Sequence, residues 1–491
     1  MTTYPNSNEA YQLFHDGILA LSRAEMQGFR VDVEYVKRKL EFLSGKKTQH
    51  IEQKFKESNF YKDWEKSEKG KININSPIQL SNYLYKVKGY KASKFTNGGE
   101  NGSTDDESLK QLGIPELDML FEKKKIKKTI DVLEGFYKEQ VNGVLHPFYN
   151  LHLVRTYRSS SDSPNFQNIP IRDEDQKAIC RKAIFPRKEH QLLEVDFGQL
   201  EVRISACYNK DEKLKYDILH GDMHTDMAAE IFMIPNLKEK LKSENKITKD
   251  GHKLLRQAAK NGFVFAEFYG DYYKNTAENL SSNWGKLPKT GKWQYGQGPV
   301  IDEIGKPFRP YYLSDHLIGK GIKEFGTVTK GERGWVATGW MKHIKEIEEN
   351  FWNVRYNQYK QWKIDWFEEY QKKGHFDLYT GFRCSGVMNK KEVSNYPVQG
   401  AAFHCLLWSL VQMDKFIIEN NLDSRIIGQI HDSLIIDVNP KELKLISKTI
   451  HKITTIDLPK HWKWITIPLE IDADLSPVDG SWYEKAEYKL I

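Results

Sequence analysis

The chain is short of cysteine. Its four, Cys180, Cys207, Cys384 and Cys405, are scattered through 491 residues, and none forms a C-x-x-C pair. That spacing argues against a zinc ribbon and offers no disulfide framework, so a reduced, intracellular protein is expected. Long apolar runs are also missing. No stretch approaches the roughly 20 residues of a membrane span, and no membrane is expected among the partners. The amino terminus, MTTYPNSNEAYQ, has no basic residue before Arg23 and no apolar core, which argues against a signal or transit peptide. A heavy charge of one sign is lacking too, since 74 Lys and Arg face 67 Asp and Glu for a net charge of +7. There is no internal repeat.

What is present is enough for about three domains or subdomains, with 39% hydrophobic and 12% aromatic residues to fill their cores. Basic residues cluster, as in EKKKIKK at 122–128. Such a run is ordinarily a solvated helix face, and phosphate contact becomes the better reading only beside other nucleic-acid signals. Residues 8–30 carry apolar side chains at helical spacing (Tyr11, Leu13, Phe14, Ile18, Leu19, Leu21) up to Gly28. Helices around a Gly-, Asn- and Ser-rich loop at 95–109 are expected over 30–150, then short strands and helices to about 250. A basic and aromatic helix is expected at 252–269, a loop-rich insertion at about 270–335, and helices at 338–373 and 397–420. Strands are expected at 425–431, 433–438 and 467–474.

Four segments carry chemistry. In LLEVDFGQLEVR, 192–203, an apolar run delivers Asp196 at its exposed end, followed by Gln199, Glu201 and Arg203. In GQIHDSLIIDV, 428–438, two apolar strands flank His431-Asp432. A His-Asp turn alone is usually only a turn. Paired with Asp196, though, it offers what two-metal phosphoryl transfer needs, carboxylates converging from different strands, with the hard oxygens that magnesium prefers. In RQAAKNGFVFAEFYG, 256–270, Arg256 and Lys260 stand four apart and share a helix face, so both can meet one triphosphate. Phe265 and Tyr269, also four apart, offer rings for a base to stack on. In RSSSDSPNFQNIPIR, 158–172, the prolines prevent a helix, while Arg158, Asn165, Gln167, Asn168 and Arg172 can bond minor-groove edges and phosphates.

Taken in order, these segments resemble the motifs of the family A DNA polymerases (DNA polymerase I type) over nearly the whole chain. GDMHTDMAAEIF (221–232), NYPVQGAA (395–402), LSRAEMQGFRVD (21–32) and KININSPIQLSNYL (71–84) add lesser matches. The resemblance implies an α+β right-hand polymerase fold, its palm an antiparallel sheet with helices and its fingers and thumb helical. The implied limits are an N-terminal helix at 1–29 packing on the palm, thumb 30–143, palm 144–250 and 396–491, and fingers 251–395. It implies a DNA-directed DNA polymerase that extends a primer–template with dNTPs by two-metal transfer. Asp196 and Asp432 would hold two Mg2+ ions, for which Mn2+ can substitute. His224, Arg256 and Lys260 would hold the triphosphate, with Lys260 aiding the departing pyrophosphate. Phe265, Tyr269, Gln199 and Glu201 would surround the nucleotide, Glu201 excluding a 2′-hydroxyl and bonding Tyr269. Arg158, Asn165, Gln167, Asn168, Arg172, Asn395, Gln399 and His431 would contact DNA.

The chain departs from the family pattern in places. Ser433 replaces the family's Glu after Asp432, and Lys391 stands where Arg is common. Lys260 and Tyr269 are nine residues apart rather than eight. On a straight helix the extra residue turns Tyr269 about 100° off the cation stripe; either a one-residue π-bulge near Gly262 restores the face, the preferred reading because Phe265, Tyr269 and Gly270 keep the family's internal spacing, or Val264 and Phe268 take the ring positions. A thumb-like region starting almost at Met1 implies an enzyme without its own 3′–5′ exonuclease, and a short chain with a fingers insertion and the nine-residue spacing looks more bacteriophage-like or plasmid-like than cellular. A separate exonuclease, helicase or processivity factor, a monomeric state, and location in the cytoplasm (of a bacterial host if viral) are the corresponding expectations.

Overall fold

The computed structural model describes residues 4–92, 95–96, 99–171, 173–289, 291–331 and 334–490. They group into two compact units. One holds Pro5–Gly198, Phe403–Trp462 and Leu469–Ile491; the other holds Tyr4, Gln199–Ala402 and Lys463–Pro468.

The first unit is built on a five-stranded antiparallel sheet. Its order is Arg425–Ile430, Ser433–Val438, Gln191–Phe197, Ile471–Leu475 and Ala486–Glu487. The middle strand buries Leu192, Leu193, Val195 and Phe197, and Ser433–Val438 is buried throughout. Each such side chain taken fully from water contributes about 1.5–3 kcal/mol, so register is held firmly; a slip of one residue would turn these side chains to the wrong face. Behind the sheet, Leu192 and Ile435 share a core with Phe29, Phe136, Phe166 and Trp482. Phe166 stacks on Phe29 at 4.3 Å and on Phe136 at 5.8 Å, which anchors the polar 158–172 segment from inside. The basic helix Leu117–Glu139 reaches this core through Ile126, Ile130 and Leu133. A second core, around Phe55, Trp64, Tyr83 and Leu117, fills the helices before it. The helix Ser7–Gln27 is capped reciprocally by Asn6 and Glu9.

The second unit is mainly helical. Tyr208 stacks on Tyr379 at 3.9 Å beside Trp362 and Trp366. Arg355 gathers Asp217, Asp226 and Glu230 at 3.0–3.2 Å. Residues 199–250 group with 251–402, where Met223–Ile231 lies against Lys246–Ala259. One boundary between the two units falls at 198/199. Likewise 30–143 shares the core of the sheet.

Several elements differ from their expected limits. The helix expected at 252 starts at Lys246, where Asn245 caps it by accepting from Thr248 N at 3.2 Å. The helix expected at 397 starts at Lys390 and runs to Glu419 with Pro397 inside. That 30-residue helix is long and apolar enough to cross a membrane, yet 72% of its most apolar window is buried within the protein. The last long strand begins at Ile471, not 467. Residues 270–335 are more regular than a loop-rich insertion: they hold the helices Tyr273–Asn279 and Leu313–Gly319 and two hairpins, Val300–Ile304 with Arg309–Tyr312 and Val328–Gly331 with Gly334–Ala337. Strands of four or five residues are too short to show a period. One is fixed by close approach, since a side chain at Gly251 would strike the Val300 carbonyl at 1.8 Å.

Candidate active site

In the sheet unit, Asp196 is the penultimate residue of the middle strand. Its antiparallel partners are Ser433 on one side and Asp472 on the other. Asp432 immediately precedes Ser433 in the turn of the neighbouring hairpin, so the two expected carboxylates come from adjacent strands at the same end of the sheet. His431 sits in that turn with φ at +51° and faces solvent. Ser433 donates to Asp196 Oδ1 at 3.3 Å, where the family pattern would place a carboxylate. Partial burial, then repulsion from Asp432 and Glu194, raises the Asp196 pKa to about 6. Burial also raises Asp432, against the pull of Arg158 and His431. A cleft of about 420 Å3 opens here, lined by Asp196, Asp432, Ser433, Glu194 and Lys485 among others. Glu194 is already compensated, by Trp482 Nε1 at 2.6 Å and Lys485 at 2.6 Å. Asp196 and Asp432 resist ionisation alone and would gain from a cation, so two carboxylates of hard oxygen fit a divalent metal. Among the described residues, no group of three metal-capable side chains gathers.

The polar segment 158–172 is tied to this hairpin. Ser159 donates to Gln429 Oε1 at 2.6 Å, and Gln167 Nε2 donates to Ser159 Oγ at 3.1 Å and Gln429 Oε1 at 3.3 Å. Gln167 is thus engaged internally through its amide nitrogen. Its bonds to the hairpin brace the turn that carries Asp432. Asn165 and Asn168 face solvent. Arg172 lies outside the described residues.

In the helical unit, Arg256, Lys260, His224 and Phe265 come together. Arg256 is engaged: Nε donates to Thr225 Oγ1 at 2.9 Å and Nη2 to Asp222 Oδ1 at 3.0 Å. Asp222 also caps the helix Met223–Ile231, accepting from Thr225 N at 3.2 Å. Burial opposes its charge, but the Arg256 and Thr225 bonds hold its pKa below the usual range. The Lys260 ammonium lies 5.5 Å from the Phe265 ring centre, and Phe265 meets His224 edge to face at 5.5 Å. Phe265 is therefore half-buried among these groups. His224 is 4% exposed, and neither ring nitrogen has a hydrogen-bond partner among the described residues. Burial, then Lys260 and Arg256, lowers its pKa to about 4. At pH 7 that leaves the imidazole neutral, with one nitrogen able to donate and the other to accept.

The nine-residue spacing is resolved as the motif spacing predicted. Lys260–Val264 forms a π-turn between Lys246–Ala259 and Phe265–Phe268. Gly262 lets the turn lie against Trp284, whose ring carbons would be 3.2 Å from any added Cβ. Beyond it, the Tyr269 hydroxyl donates to the Glu201 carboxylate. Glu201 lies in the first turn of Leu200–Asn209, after an exposed Gln199 in the left-handed conformation. Asn395 Nδ2 donates to the Tyr269 carbonyl at 2.9 Å, which holds that turn. Gln399 lies four residues on, half-buried. Asp222, Gln429 and Lys363, discussed below, were not singled out from sequence. Only Asp222 left a local signal, as an Asp capping a helix start.

The structure is similar to "POL domain of Pol1 from M. smegmatis complex with DNA primer-template and dNTP", with a TM-score of 0.70 and 20% identity, over 96% of this chain and 70% of that one. The fold is thus the α+β fold of a polymerase domain. The model for DNA polymerase family A matches residues 42–283 and 355–484, and the chain belongs to that family. The unmatched stretch between them overlaps the expected insertion. Among similar proteins, DNA polymerase I of Bacillus subtilis (strain 168) is 26% identical over 97% of this chain and 46% of its own length. DNA polymerase I of Lactococcus lactis subsp. cremoris (strain MG1363) is 28% identical over 84% and 40%. The chain spans less than half the length of these curated relatives.

Proposed function

We propose that this protein is a DNA-directed DNA polymerase that joins a dNTP to a primer 3′-hydroxyl. The observation that carries the reading is Asp196 and Asp432 on adjacent strands at one end of the sheet, in a chain of this family. Two divalent cations held there, Mg2+ or Mn2+, would clamp the attacking and leaving oxygens of an in-line displacement. The protein's own groups do the rest. Ser433 orients Asp196 through its hydroxyl. Arg158 and His431 lie beside Asp432, where they meet the primer end. His224, buried with both nitrogens open, donates to a phosphate oxygen, and Lys260 and Arg256 neutralise the triphosphate, Arg256 exchanging Asp222 for it. The Glu201–Tyr269 pair closes the space a 2′-hydroxyl would need. Asn165, Asn168 and Gln399 are proposed to contact the duplex, and Gln199 the nucleotide. Action as a cytoplasmic monomer, without proofreading of its own, belongs to the same proposal; shortening of a primer by the purified protein, dNTPs withheld, would refute the last point.

Single-nucleotide primer extension by wild type, Asp196→Ala and Asp432→Ala, with primer–template affinity measured alongside, tests the reading. Both variants should bind DNA and fail to extend it. Extension at the wild-type rate by either would refute the assignment.

A further inference from the structure

The helix end that carries Tyr269 is held from outside. The carbonyls of Glu267, Phe268 and Tyr269, three in succession, accept side-chain hydrogen bonds from other elements. Lys363 Nζ donates to the first two at 3.3 Å and 3.1 Å, and Asn395 donates to the third at 2.9 Å. The last carbonyls of a helix lack partners within it, and a cation placed there also meets the negative end of the helix dipole. Lys363 comes from the helix Asn357–Lys373. Its ammonium lies 4.1 Å from the Trp352 ring centre and 4.8 Å from that of Tyr359, a geometry that fixes the cation as well as shielding it from water.

Glu267 completes the arrangement. It is fully buried, with one oxygen accepting from Trp352 Nε1 at 2.8 Å and the other without a partner among the described residues. Trp352 is thus oriented by Glu267 from one side while its ring holds Lys363. A lysine serving only solubility would not be enclosed in this way, since taking an ammonium from water costs several kcal/mol unless its surroundings compensate. Here two ring faces, two carbonyls of the segment that ends at Tyr269 and the Glu267 carboxylate offset part of that cost, and burial still lowers the Lys363 pKa to about 7.

We propose that Lys363 is a specificity-determining positioning residue. By fixing the carbonyls before Tyr269, it keeps the Tyr269 hydroxyl on Glu201 and so keeps the nucleotide site closed to a 2′-hydroxyl. This rests on the reading of Glu201 as the group that excludes ribose. A shift of about 1 Å in a positioned group is enough to change rates strongly.

The test measures kcat/KM for one dNTP and the matching rNTP in wild type, Glu201→Ala, Lys363→Met, Lys363→Gln and the Lys363→Met/Glu201→Ala double variant. Because the ratio is taken within one preparation, a loss of folded protein cancels. Lys363→Met should raise the rNTP-to-dNTP ratio about tenfold, the equivalent of one charge-assisted hydrogen bond. Lys363→Gln, which keeps an N–H donor, should raise it less, and Lys363→Met should add nothing further in the Glu201→Ala background. A lowered thermal midpoint with an unchanged ratio in Lys363→Met would overturn the proposal, as would an equal rise in both backgrounds. If Lys363→Met fails to fold, a wild-type ratio in Lys363→Gln overturns it. An unchanged ratio in Glu201→Ala would instead remove the ribose-exclusion reading, and this proposal with it.

Discussion

The two units hold their functional groups by different means. In the sheet unit, backbone register places Asp196 beside Ser433 and one residue from Asp432. In the helical unit, Arg256 is bonded to Asp222, Lys260 lies over Phe265, and the π-turn Lys260–Val264 decides where Tyr269 points. Asp196 is fixed by the register of its strand, and Asp432 by the turn before a strand that is buried throughout; the cations are fixed by partners that a ligand can replace. A site for metal chemistry tolerates little displacement, whereas a site that takes up and releases a triphosphate must exchange its bonds each cycle.

That contrast can be broken from either side. Removing either carboxylate should cost most, about 10^3-fold or more in extension rate, because several kcal/mol of metal-borne charge stabilisation is lost. Lys260→Ala should cost about 10^2-fold in kcat/KM for dNTP while leaving primer–template affinity near that of wild type; a matching loss of DNA affinity would count against its placement on the triphosphate. The change at Lys363 should be smaller again and visible mainly in sugar selectivity.

The smallest effect concerns stability. The folded pKa of Asp196 is about 6, above the ordinary aspartate value of 3.8. The native state therefore holds the proton more tightly than the unfolded chain, and the ionised carboxylate weakens the fold above about pH 6. Asp196→Asn should then melt higher than wild type in metal-free buffer at pH 8, by roughly a degree or two given its partial exposure. The difference should fade as pH falls through 6 toward 4. A variant that melts lower at pH 8 would contradict the crowding of carboxylates at this strand end.

Much of this was legible in the sequence, and the reasons are physical. An apolar run ending in a carboxylate reads as a strand end because burial and exposure alternate within a few residues, as at Val195-Asp196-Phe197. The π-turn was legible because an extra residue must be absorbed if Tyr269 is to keep its face. What escaped depends on contacts between distant residues. Asp222 and Arg256 are 34 positions apart, and Gln167 and Gln429 are 262 apart, so nothing local shows that these side chains are already paired. Lys363 reads as one more surface lysine until Trp352 and Tyr359 are seen around it. The short hairpins at 300–312 and 328–337 were missed because four residues hold too little pattern to separate a strand from a loop.

The central claim is that Asp196 and Asp432 together hold the catalytic cations. It is tested most directly by counting Mn2+ ions bound at saturation, by electron paramagnetic resonance, in the complex of the protein with primer–template and a non-hydrolysable dNTP. The account predicts two ions in the wild-type complex and fewer than two in Asp196→Asn and in Asp432→Asn, with the DNA still bound. Two ions in either variant would contradict it.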